Sequence, residues 1–330
     1  MKNIFAALCV LLILLPALGC TSKKGRLKAT GLDTEAAGDG TGSGLPLKDR
    51  GALFGIKNIS TLAEITREGV TVKYSDGYSQ TAEENLSRLL SMADYFKKEL
   101  NIDFDFTLYL LDREDWPSAG APYGMPACRP DANAVLVPVS GGGCIVDACL
   151  PQLESAPDIV FELFKKAGVS PEEGVDFFPL LIGYHEIGHL IEKEMGITNI
   201  SRWFNEFFAS YLALVYMSEF QAELADIWKA NAYISPYSGE EFPPIVDLKA
   251  LNLGKVEPHS PESIKNYDWF QKEFMKLCLE INEEAGIEFV HKVKISIGSR
   301  ALGTEGELAV IREVSSSFDE WIVEVRQPGK

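Results

Sequence analysis

Apolar and polar positions follow two different rhythms along the chain. In the weakly alternating stretch 61–75, Val70-Thr71-Val72-Lys73-Tyr74 predicts a strand. Leu86, Leu89, Leu90, Ala93, Phe96 and Leu100 then recur at helical spacing, so 82–99 reads as an amphipathic helix opened by the capping-box pattern Thr81-Ala82-Glu83-Glu84. Phe104 to Leu111 is rich in β-formers, and Ala134-Val135-Leu136-Val137-Pro138-Val139 predicts another strand. Pro138 has no N–H for a ladder, which places that strand at a sheet edge. Gly141-Gly142-Gly143 follows as a turn and lacks the lysine of a phosphate loop.

From about residue 150 the period becomes helical. Helices are expected at 159–167, at 178–195 with Gly196 closing it, and at 202–218 behind Ser201 as N-cap. Others are expected near 219–230, 262–285, 286–297 and 305–325. No internal repeat is visible. A mixed sheet with helices, followed by a mostly helical part, is an α+β order.

The composition is that of a globular protein: 330 residues, 46% hydrophobic and 24% charged, with a net charge of −17. Such an acidic chain is a poor fit to nucleic acid, so that class of partner is excluded. Lys2 followed by the apolar run Ile4 to Leu18 has the form of a secretory signal, too short for an ordinary membrane span. Its ending, Ala17-Leu18-Gly19-Cys20, resembles a bacterial lipobox. The resemblance implies an exported lipoprotein held to the membrane by lipid on Cys20. Thr21 after the cysteine implies outer-membrane sorting in a Gram-negative cell. The run 1–19 is then the signal peptide, and 20–52, rich in Gly, Ser and Thr, the anchor and tether. A first lobe is expected over 53–200 and a helical lobe over 201–330. Cys128, Cys144 and Cys149 lie close enough in sequence for a disulfide in an oxidising compartment, and Cys278 reads as a buried thiol.

The chemistry concentrates in Tyr184-His185-Glu186-Ile187-Gly188-His189. Residues four apart share a helix face, so His185 and His189 can present two imidazoles to one ion with Glu186 beside them. Zn2+ accepts neutral imidazole, and a nearby carboxylate can take a proton from water that zinc polarises. Two histidines leave a tetrahedral site short of a protein ligand. The next helix supplies Trp203-Phe204-Asn205-Glu206-Phe207-Phe208-Ala209-Ser210-Tyr211, and one turn of that helix can bring Glu206 back to the ion.

At this point the chain resembles gluzincin metallopeptidases of the peptidase-MA-like branch. The resemblance rests on His185-Glu186-Ile187-Gly188-His189 and on Trp203, Asn205, Glu206, Ala209 and Tyr211. It implies a zincin-like fold, with His185, His189 and Glu206 as zinc ligands and Glu186 as catalytic base. It also implies a peptide or protein substrate, glycoprotein included. Relatives use a downstream Tyr or His to stabilise the oxyanion, which nominates Tyr267 and His259. There are departures. Phe207 stands where glycine is common, which is expected to narrow the pocket. Ser210 stands where thermolysin-like relatives carry the aspartate that supports a ligand histidine, so that carboxylate must come from elsewhere or be missing, and Glu192 and Glu194 read as lying beyond the histidine face. No G-x-M-E-N stretch supports aminopeptidase action. The edge strand at 134–139 is expected to pair with an extended substrate. The competing class is a non-catalytic surface-binding lipoprotein on the same fold.

Overall fold

A computed structural model describes residues 54–56, 59–117, 122–197, 200–237, 243–252, 261–297, 302–315 and 318. The signal, lipobox and tether, and His259, lie outside the described residues. The fold is α+β, with a mixed sheet on the N-terminal side and a mostly helical C-terminal part. The strands are β1 (Ala63–Arg67), β2 (Val70–Tyr74), β3 (Phe106–Leu111), β4 (Ala127–Arg129) and β5 (Ala134–Pro138), in the order β1-β2-β3-β5-β4. The pairs β2–β3 and β3–β5 are parallel, and β1 and β4 join antiparallel at the two edges.

The edge assignment of 134–139 is therefore corrected. β5 is interior, and Pro138 is tolerated because it is the strand's last residue, opposite Leu111. The true edge is β4, whose Ala127-Cys128-Arg129 is too short and too weak in β-formers to declare itself in sequence.

Ten helices follow among the described residues: α1 (Ser79–Leu100), α2 (Cys144–Cys149), α3 (Asp158–Lys166), α4 (Pro171–Glu194), α5 (Arg202–Phe220), α6 (Ala222–Ala232), α7 (Leu248–Asn252), α8 (Pro261–Ala285), α9 (Ile287–Ser296) and α10 (Gly303–Arg312). Helix α1 begins before the Thr81 capping box. The Ala82 N–H already bonds the Tyr78 carbonyl, so Thr81 lies inside the first turn. Helix α4 starts seven residues earlier than the expected Phe178. Ser170 and Glu173 form a reciprocal capping box, and Pro171 fits the first helical position, where no N–H is needed. No described helix is long and apolar enough to cross a membrane.

Helix α4 lies between the sheet and α5, and two glycines allow the approach. A Cβ on Gly183 would come within 2.5 Å of Val137 Cγ1 on β5. A Cβ on Gly188 would come within 2.5 Å of the Ala209 carbonyl oxygen on α5. Lys193 then ties the end of α4 to the β4–β5 connection, donating to the Pro130 carbonyl at 2.9 Å and to Asn133 Oδ1 at 2.6 Å. No disulfide joins Cys128, Cys144, Cys149 or Cys278, so the bridge considered for the first three does not form. Cys144 and Cys149 are five residues apart on α2 and face different ways, while Cys128 is on β4.

Candidate metal centre

Helices α4 and α5 bring the three expected ligands together. The donor atoms of His185, His189 and Glu206 lie within 4.8 Å of one another, and among the described residues no other group of three does so. The imidazole centroids of His185 and His189 are 4.8 Å apart at 83°. His185 Nδ1 is 2.9 Å from Ser210 Oγ, and its Nε2 is 3.5 Å from Glu206 Oε2. His189 Nδ1 is 3.1 Å from Glu192 Oε2. Both Nδ1 atoms are engaged, so Nε2 is the nitrogen each ring has left for an ion, and in His185 it faces Glu206.

Around this trio the sequence reading needs two corrections. Glu192 is not beyond the histidine face. It is 2% exposed and meets His189 one turn along α4. Phe207 does not narrow the pocket; it is fully buried among Trp203, Phe204, Tyr211 and Phe289.

Neighbouring elements complete the setting. Gln271 on α8 donates to Glu206 Oε2 at 3.2 Å. Asn205 Nδ2 donates to Glu192 Oε2. The backbone N–H of Cys128 on β4 donates to Glu186. Burial and the carboxylates of Glu186 and Glu192 push the Cys128 thiol up, so it is no ready thiolate ligand. Tyr267 stands one turn before Gln271 on α8, with the Arg202 guanidinium 5.6 Å from its ring centroid and hydrogen-bonded to its phenol. Burial, then the charges of Glu206 and Glu186, drive that phenol well above its usual range, which keeps it a proton donor. Gln271, Arg202 and the edge-strand amide carried no sequence signal, and Asn205 stood in the motif with no role assigned to it. Glu192 carried one, through its spacing of three from His189.

No protein-family model matches the chain, and neither does a curated protein or a solved structure. The chemistry of the centre rests on its own residues.

The electrostatics fit a divalent cation. Three carboxylates, Glu186, Glu192 and Glu206, crowd two imidazoles in a desolvated pocket, an excess of negative charge that a dication balances. Burial pushes Glu186 up, and the two histidines only partly oppose it. Burial also pushes Glu206 up, but its bond to His185 and the charges of His189, His185 and Arg202 prevail and hold it at about 2. A carboxylate this acidic stays ionised and available as a ligand. Two imidazole nitrogens and one carboxylate oxygen are a donor set that suits zinc and leaves a position open.

His189 supplies a pH test. Burial lowers its pKa, but the bond and charge of Glu192, then Glu206 and Glu186, raise it from 6.5 to about 9. A metal must displace that proton. Zinc uptake is expected to weaken about tenfold per pH unit as pH falls below about 9, read by competition with a chromophoric chelator. Chelator-treated protein should show the opposite dependence. There the histidine favours the fold fully below pH 6.5, and this contribution fades as pH rises through about 9, lowering the melting temperature.

Proposed function

We propose that the protein is a zinc-dependent metallopeptidase of the gluzincin kind, on a zincin-like scaffold, exported as a cell-envelope lipoprotein anchored through Cys20. The observation that carries the reading is the convergence of His185, His189 and Glu206 across two helices, with Glu186 beside them. Zinc bound there would supply Lewis acidity, polarising a water and the scissile carbonyl. The chain's own residues do the rest. Glu186 is the general base; its desolvation raises its proton affinity toward what proton abstraction at neutral pH needs. The Cys128 N–H fixes that carboxylate against β4. The outer edge of β4, rather than β5, offers backbone groups to an extended peptide. Tyr267 is the donor to the developing oxyanion, and its phenol keeps its proton throughout the working pH range.

The deciding experiment is metal analysis of the purified protein, paired with cleavage of a mixed peptide library before and after chelation. One zinc per chain and chelator-sensitive cleavage are expected. A protein that holds zinc yet cuts nothing would instead be the binding lipoprotein. Tyr267→Phe is expected to lower kcat about 100-fold with KM little changed, since one oxyanion donor contributes roughly 10²–10³. An unchanged kcat removes Tyr267 from the mechanism.

A further inference from the structure

We propose that Glu192 is a positioning residue that orients His189 toward the metal and, through Asn205, sets the spacing of the two ligand-bearing helices. The inference rests on the metallopeptidase reading and extends it to a residue that neither touches substrate nor binds the ion. A single oxygen, Glu192 Oε2, accepts from both His189 and Asn205. The first partner is a ligand on α4 and the second immediately precedes the ligand Glu206 on α5. One buried carboxylate thus touches both halves of the ligand set.

The burial of Glu192 fits that role. It is 2% exposed, and among the described residues its Oε1 has no hydrogen-bond partner. Burying a carboxylate so poorly satisfied is costly unless positive charge lies close by. Lys193, the adjacent cation, is turned away to Pro130 and Asn133. What remains are the imidazoles of His189, in direct contact, and of His185, and beyond them the charge they would ligate. A carboxylate on Nδ1 fixes the ring's tautomer and rotation and strengthens Nε2 as a donor. His185 has only the neutral Ser210 hydroxyl in the equivalent place. The support is therefore asymmetric: anionic behind His189, neutral behind His185.

The test is zinc affinity at fixed pH, measured by chelator competition, together with the visible spectrum of the cobalt(II)-substituted protein. Glu192→Gln is expected to bind zinc about 10- to 100-fold more weakly and to shift the cobalt bands, while Ser210→Ala loses less than about tenfold. The double variant Glu192→Gln/Asn205→Asp returns a carboxylate to the helix contact but not to residue 192. It should remain weak for zinc while recovering much of the melting temperature lost by Glu192→Gln. The proposal is overturned if Glu192→Gln binds zinc like wild type, or if the double variant recovers full affinity. A wild type that takes up no zinc at all overturns the metallopeptidase reading, and this inference with it.

Discussion

Glu186→Gln is expected to lower kcat about 1,000-fold while the protein retains its full complement of zinc. A general base contributes roughly 10²–10⁴; of the other two carboxylates at the centre, Glu206 is the candidate ligand and Glu192 is taken up by His189 and Asn205. The amide keeps an oxygen to accept the Cys128 N–H, so β4 and α4 should stay in register. It also removes one of three crowded acids, so the chelated variant should melt no lower than wild type, and KM should move less than about threefold. Steady-state cleavage of a peptide selected from the library, with metal content from the same sample, reads both halves. Turnover within tenfold of wild type would remove Glu186 from the role of base. Loss of zinc along with turnover would mean that it holds the metal site together rather than moving a proton.

The second large effect is expected at Gly188→Ala. The new Cβ would sit 2.5 Å from the Ala209 carbonyl oxygen and 2.8 Å from its Cα, backbone atoms that cannot swing aside. The two ligand helices must separate, at a cost of about 3 kcal/mol, the upper end of ordinary over-packing. In a domain of this size that lowers the melting temperature by roughly 5 °C. The displacement falls between His185 and His189 on one side and Glu206 on the other, so zinc affinity should drop about 100-fold as well. Gly183→Ala is the matched control. Its Cβ meets Val137 Cγ1 on β5, a side-chain atom on the sheet side of α4. It should lower the melting temperature and leave zinc affinity within about threefold. Equal loss of zinc in both variants would show that the helix crossing has no special hold on the metal.

Much of this centre could be read from the chain, and the reasons are local. His185 and His189 share a face because both lie on one helix, and Glu206 falls just past the first turn of the next. Short-range periodicity carries all three. The supporting residues are different. Gln271 reaches Glu206 from α8, and the Cys128 amide reaches Glu186 from β4, across separations that no pattern encodes. β4 was missed because three residues give no alternation to detect, and that omission misassigned the edge to β5. Glu192 was the avoidable error: a spacing of three on a helix already puts it beside His189. The helix starts erred where caps competed. Ser170 with Pro171 outranked the apolar onset at Phe178, and the Thr81 pattern had no free helix end to cap.

Ser201, at the start of α5, gives both its N–H and its hydroxyl to the carboxylate of Glu307, which lies on α10 and is fully buried. A helix opening normally satisfies its amides from nearby in sequence. Here the acceptor is made more than a hundred residues later. A ribosome finishing this chain has long since released His185, His189 and Glu206 when Glu307 emerges. Until then the N–H and hydroxyl of Ser201 lack that acceptor, and the start of α5 is held only by its own backbone bond from the Asn205 N–H to the Ser201 carbonyl and by Asn205 on Glu192. On the reading proposed above, a chain cut short before residue 307 is expected to carry all three candidate ligands without the Glu307 contact at the start of α5, and to hold an ion more weakly than the whole chain.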